Sequence, residues 1–147
     1  MPELPEVEVT RRGISHVLLN AKIIRVIHDD KKLREPYAEN IKDIEGGTIY
    51  AVDRRAKYII VRTDKGSLIL HLGMSGHLHI SSDTKLQKHD HFELVLDNNK
   101  NVIFNDTRRF GLVLYIPDCM DPLEDRHLKH LGPEPFDEKF NANYLLS

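Results

Sequence analysis

The segment Thr48–Leu72 reads TIYAVDRRAKYIIVRTDKGSLILHL. Its apolar residues fall in three short runs, Thr48–Asp53, Tyr58–Thr63 and Ser67–Leu72. Runs of this length, rich in Ile, Val, Leu and Tyr, have the size of strands rather than helices. Asp64-Lys65-Gly66 between the last two is a hairpin-type break. Moving outward, the same texture recurs at Lys22–His28, His77–Ser81, His91–Leu96, Asn101–Asn105 and Leu112–Ile116, with a second hairpin break at Asp97-Asn98-Asn99-Lys100. Phe92, Leu94 and Leu96 alternate with His91, Glu93 and Val95, which predicts a half-buried strand. Eight short strands at this spacing predict a sandwich or flattened barrel.

Three stretches have a helical period instead. Glu3–Leu19 places Leu4, Val7, Ile14, Val17 and Leu18 near one face, with Pro5 in the first turn, where its missing N–H costs nothing. Glu3 and Glu6 suit the positive end of that helix dipole, and Gly13 weakens its middle. Tyr37, Ile41 and Ile44 predict a short helix ended by Gly46-Gly47, and Pro122–Leu131 another ended by Gly132-Pro133. The expected architecture is α+β: an eight-stranded antiparallel β-sandwich with an N-terminal helix and one or two short flanking helices. Phe140–Ser147 reads as a helix just beginning in its apolar part, which suggests a piece cut from a longer protein.

The 147 residues suffice for one domain with a core, and no run of 18 apolar residues predicts a membrane span. Glu3, Glu6 and Glu8 crowd the N-terminus, where a secretory signal would be basic and then apolar. The single cysteine, Cys119, has no internal partner, so a cytoplasmic protein is expected. The formal net charge of −2 disfavours a uniformly basic nucleic-acid binder. However, residues 117–147 carry seven acidic against three basic residues, which leaves the rest slightly positive. Its basic clusters are Arg11-Arg12, Arg54-Arg55-Ala56-Lys57 and Arg108-Arg109, and DNA binding needs a local basic surface rather than a basic whole.

Three groups of residues carry possible chemistry. Met1-Pro2-Glu3-Leu4-Pro5-Glu6-Val7-Glu8 offers a secondary amine once Met1 is removed; an α-amino group titrates at about 7.7–8, and a helix N-terminus lowers that further. A neutral amine is the nucleophile an imine-forming lyase needs. The second group is Arg54-Arg55-Ala56-Lys57-Tyr58 followed by His71-Leu72-Gly73-Met74-Ser75-Gly76. The third is Lys88-His89-Asp90-His91 followed by Asp106-Thr107-Arg108-Arg109-Phe110-Gly111. Taken singly, these are an ordinary helix start, a strand-end lysine and a solvated arginine pair. His89 and His91 fall on one side of a strand, a spacing that also suits a metal, although none is expected in this chain.

Together, and with His130-Leu131-Gly132-Pro133-Glu134-Pro135, the motifs resemble the N-terminal part of bacterial formamidopyrimidine-DNA glycosylase over essentially the whole chain. The resemblance departs at Asn105-Asp106-Thr107, where family members often have Asp-Pro before the arginine pair. It implies excision of oxidised purines (8-oxoguanine and formamidopyrimidines) from damaged double-stranded DNA, and strand cleavage by β/δ-elimination through a Schiff base. It assigns catalysis to Pro2, Glu3 and Lys57 and DNA contacts to His71, His89 and Arg108. Met74, Arg108 and Phe110 would fill the void left by a flipped base. The domains would be 1–135, catalytic, and 136–147, leading to a helix–two-turn–helix and a zinc finger. The zinc, one per full-length protein, belongs to that finger. A monomer acting on nucleoid DNA, with the isolated fragment impaired, completes the expectation. The alternatives are a non-catalytic DNA- or partner-binding module with the same fold, and a hydrolytic glycosidase using two carboxylates.

Overall fold

The computed structural model describes residues 4–29, 33–82, 90–118 and 120–128. Of the predicted site residues, Pro2, Glu3 and His89 lie outside that set, as do residues 136–147 and the helix expected from Phe140. Helix α1 runs Leu4–Leu18. The strands are β1 (Ile23–His28), β2 (Ile49–Arg55), β3 (Tyr58–Thr63), β4 (Gly66–His71), β5 (His77–Ser81), β6 (Asp90–Leu96), β7 (Asn101–Asn105) and β8 (Leu112–Ile116). They form two antiparallel four-stranded sheets, ordered β1-β6-β7-β5 and β2-β3-β4-β8. This is the expected sandwich, with α1 packed along β2, β3 and β5.

The core follows from the apolar pattern. Ile23, Val26, Ile59, Val61, Leu68, Leu70, Phe92, Leu94, Val102, Phe104 and Val113 meet between the sheets, and Val7, Ile14 and Leu18 seal them from the helix. Strand β4 is buried at every position. Its unbroken Leu68-Ile69-Leu70 is the signature of a strand covered on both faces: Leu68 and Leu70 point into the main core, whereas Ile69 joins Ile60, Ile116 and Leu128 in a second cluster. The helix ends where Asn20 turns left-handed, at φ 68°, and Asn98 of the β6–β7 hairpin donates to the carbonyl of Val17.

Three expectations need correction. Tyr37 is not helical; only Ile41–Ile44 form a turn, of 3₁₀ type, while Tyr37 stacks on His28 at 4.3 Å. Among the described residues of Pro122–Leu131, helix is confined to the 3₁₀ turn Pro122–Glu124, where the Asp121 carboxylate caps Leu123 N–H and the chain then turns to bury Leu128. Strand β6 is not half-buried: His91 and Glu93 are enclosed with their apolar neighbours. β6 lies inside its sheet, between β1 and β7, and the pairing with β7 slips between Asp90 and Phe92, so that His91 is the extra residue of a β-bulge.

Phe104 is fully buried and lies under two connections at the same end of the sandwich. A Cβ added at Gly76 would stand 2.8 Å from its ring, and one at Gly111 2.5 Å from it. Truncation at Phe104→Ala is expected to cost about 3–5 kcal/mol, read as the shift in free energy of urea unfolding. A loss below about 1 kcal/mol would show that this end of the core repacks without it.

Candidate active site

The strand registers gather Lys57, His71, Met74, Arg108 and Phe110, the described members of the predicted set, at one end of the sandwich. In one sheet, Tyr58 at the start of β3 pairs with His71 at the end of β4, which pairs with Leu112 at the start of β8. In the other, His77 at the start of β5 pairs with Asn105 at the end of β7, which pairs with Asp90 at the start of β6. The connections leaving this end are the β2–β3 turn with Lys57, the β4–β5 turn with Met74, and the β7–β8 loop with Arg108 and Phe110. Met74 is 50% and Phe110 48% exposed. A Gly-Met-Ser-Gly turn offers no core position, and the structure leaves Met74 at the surface accordingly.

The turn and the loop are joined by Asp106, whose side chain is fully buried. One of its carboxylate oxygens accepts from Ser75 Oγ at 2.8 Å and the other from Gly111 N–H at 2.8 Å. Arg108 N–H is shared between Ser75 Oγ, at 3.2 Å, and Asp106 Oδ1, at 3.3 Å. The backbones then close on each other: a Cβ at Gly73, where φ is 67°, would lie 2.6 Å from Gly111 N, and one at Gly111 would lie 2.6 Å from His71 O. Glycine is required at both positions. The turn bearing Met74 and the loop bearing Arg108 and Phe110 therefore form one braced surface.

Lys57 is placed by a different carboxylate. Glu8 on α1 accepts from Nε and Nη2 of Arg11, at 3.0 and 2.7 Å, from Arg12 at 2.8 Å, and from the buried Arg54 at 3.0 Å. Arg54 in turn donates to Ala56 O, which fixes the Ala56–Lys57 turn, and Arg11 donates to Val52 O. Burial opposes ionisation of Glu8, but the three guanidinium groups outweigh it and hold the carboxyl at about 2. The first turns of α1, which directly follow Pro2 and Glu3 in sequence, are thus tied to the turn that carries Lys57.

The basic clusters read from the sequence divide accordingly. Arg11, Arg12 and Arg54 converge on Glu8, and Arg109 donates to Asp29 at 2.6 Å. All four are tied to carboxylates within the fold; of them only Arg12 is largely exposed, at 66%. Lys57, Arg108 and Arg34 form no ion pair among the described residues. Arg34 went unnoticed in the sequence, where it is one cation in a loop. Its N–H donates to Gly111 O, which sets it beside the arginine–phenylalanine loop.

His71 is mostly buried, packed edge-on to Tyr58 at 4.8 Å. Its Nδ1 accepts from Gly73 N–H at 3.0 Å, which leaves the proton on Nε2. Burial, with the positive charges of Arg34 and Lys57, lowers it to about 4. The ring is therefore a neutral donor at physiological pH. Because the folded value lies below that of the unfolded chain, folding stability is expected to fall as the pH drops from about 6.5 to about 4. Urea unfolding at pH 7 and pH 5 tests this, since Glu8 is still ionised in both. His71→Gln is expected to remove part of the pH dependence; an identical dependence in the variant would contradict the assignment.

Three comparisons bear on this geometry. The Formamidopyrimidine-DNA glycosylase N-terminal domain family matches residues 1–113. Formamidopyrimidine-DNA glycosylase of Legionella pneumophila (strain Lens) is 49% identical over 99% of this chain and 53% of its own length; that of Shewanella pealeana is 50% identical over 99% and 54%. The crystal structure of the Lactococcus lactis enzyme bound non-covalently to DNA containing an AP site superposes with a TM-score of 0.81, at 33% identity over 95% of this chain and 54% of that one. The MutM (Fpg) protein of Thermus thermophilus gives 0.77 at 34% identity, over 95% and 49%. The chain spans about half the length of the curated relatives it matches. It belongs to the formamidopyrimidine-DNA glycosylase family, of which it carries the N-terminal domain.

Proposed function

We propose that this chain is the catalytic half of a base-excision repair enzyme, a DNA glycosylase and AP lyase that removes oxidised purines from damaged duplex DNA. The observation that carries the reading is the braced surface. Two large apolar side chains, Met74 and Phe110, stand half exposed on a rigid support beside the exposed Arg108. Apolar groups held rigidly in water are costly unless they meet something flat and apolar, and an opened base stack offers that surface. On this reading Met74 fills the space of the extruded base, Phe110 wedges between base steps, and Arg108 hydrogen-bonds the base left unpaired. The complexes of relatives with N7-benzyl-Fapy-dG DNA and with AP-site DNA support duplex DNA as the partner.

The chemistry assigned to the N-terminus requires Met1 to be absent, because only then is the Pro2 nitrogen an amine. Its lone pair attacks the sugar C1′ and forms the C–N bond as the C1′–base bond breaks and the base leaves with a proton. Glu3 protonates the ring oxygen as the sugar opens, leaving an iminium between Pro2 and C1′. The iminium acidifies C2′, and loss of that proton expels the 3′-phosphate. Lys57 and the Nε2–H of His71, which share one edge of the site, and His89 by resemblance, would hold the adjacent phosphates. The second elimination would draw on an arginine of the zinc finger implied for the other half of the protein. Among the described residues no three His, Cys, Asp or Glu side chains group to hold a metal, and no step here uses one.

Sodium borohydride reduces such an iminium to a stable amine. With the protein as its gene encodes it, a duplex containing 8-oxoguanine is expected to give a covalent adduct at Pro2, abolished when Met1 is retained. Failure to trap with Pro2 exposed would refute the lyase chemistry. Residues 1–147 alone are expected to trap weakly, because half of the DNA-clamping surface of the family is missing from them. Efficient capture by that fragment would contradict this second point.

A further inference from the structure

His91 is buried, is not needed by the chemistry above, and sits at the bulge of β6. Its backbone is held on both sides: its carbonyl accepts from Asp29 N–H at 3.1 Å and from Tyr37 Oη at 3.0 Å. The bulge turns its ring toward the end of β7. There Nε2 lies 2.7 Å from the backbone carbonyl of Asp106, and Nδ1 lies 2.9 Å from Asp29 Oδ2. Both neighbours only accept. Asp106 offers a carbonyl, and Asp29 is an ionised carboxylate that also takes Arg109 Nη2 at 2.6 Å on the same oxygen. A neutral imidazole has one N–H and satisfies one of these contacts; the imidazolium satisfies both.

We propose that His91 is a positioning residue for the arginine–phenylalanine loop, acting as a buried imidazolium that links the two ends of that loop. Through Nε2 it holds the backbone at Asp106, where the loop begins. Through Asp29 it holds the guanidinium of Arg109, a residue in the left-handed region at φ 57°. That conformation is costly for a non-glycine residue and persists only where its surroundings impose it. With Arg109 drawn inward to Asp29, its neighbours Arg108 and Phe110 are left on the exposed side. His91 touches no substrate on this account; it acts through Asp29, Arg109 and Asp106. The consequence for DNA rests on the function proposed above, whereas the imidazolium and the loop geometry do not.

Two readouts on the protein as its gene encodes it separate these parts. In ¹⁵N-histidine NMR without DNA, His91 is expected to show two ring N–H protons, both lost in His91→Gln, together with shifted amides at residues 106–111. A single ring N–H, or unshifted loop amides, would overturn the inference. With DNA, the proposed contact of Arg108 with the unpaired base, a cytosine opposite 8-oxoguanine, would favour cytosine over adenine there, and this preference is expected to fall about tenfold in His91→Gln, the order carried by one good base contact. A general loss of fold would lower activity without changing that ratio. If His91→Gln does not fold, Asp29→Asn removes the carboxylate from the solvent side and is expected to give the same two losses; an unchanged loop and ratio there would overturn the inference. A wild-type protein that ignored damaged duplex would contradict the proposed function, while the ring protons and loop amides would still decide the role of His91.

Discussion

A single buried carboxylate, that of Asp106, sets the geometry of the site. It receives hydrogen bonds from the Met74 turn, through Ser75, and from two backbone amides of the loop bearing Arg108 and Phe110. Hydrogen bonds to a charged acceptor contribute about 1.5–3 kcal/mol each, and a buried donor left without its acceptor costs about 1–3 kcal/mol. Loops are ordinarily the mobile part of a sandwich. Here the glycines at 73 and 111 let two of them pack backbone to backbone, and Asp106 fixes the contact. The result is a surface that holds two apolar side chains in water, as the proposed insertion into a base stack would require.

The same device is used at the helix. Glu8 collects three arginines, two from its own helix and one from β2, and thereby ties the N-terminal segment to the turn carrying Lys57. A carboxylate so surrounded resists protonation down to about pH 2, so the tie persists across the physiological range. Four arginines of the sequence's basic clusters, Arg11, Arg12, Arg54 and Arg109, are thus tied to carboxylates of the fold itself. Of the described cations that meet no acid, Lys57, Arg34 and Arg108 belong to the connections at the site end of the sandwich.

The strands were legible because their apolar runs are short and the hairpin breaks carry strong turn chemistry. All but β2 agree within one residue at both ends, and β2 runs further, to Arg55, into the turn that carries Lys57. The helix followed from the periodicity of Val7, Ile14 and Leu18. What could not be read was the role of charge. Nothing local distinguishes Arg54, which is buried, from Lys57, which is not; the difference is made by Glu8 across the fold. Asp106 showed in the sequence only as a departure from a familiar motif. His91 was expected on a regular strand, and a bulge has no clear sequence signature. Pro2 and Glu3 were found by resemblance, and their geometry lies outside the described residues.

The proposed function requires Asp106 to hold the two connections together as one surface that meets DNA. Asp106→Asn keeps the side-chain volume and removes the charge. For the protein as its gene encodes it, the measurement is the affinity for a duplex with an abasic-site analogue, alongside far-UV circular dichroism. The account predicts an unchanged β signal with affinity lowered about tenfold or more, equivalent to about 1.4 kcal/mol. A folded variant that binds as tightly as the wild type would contradict it.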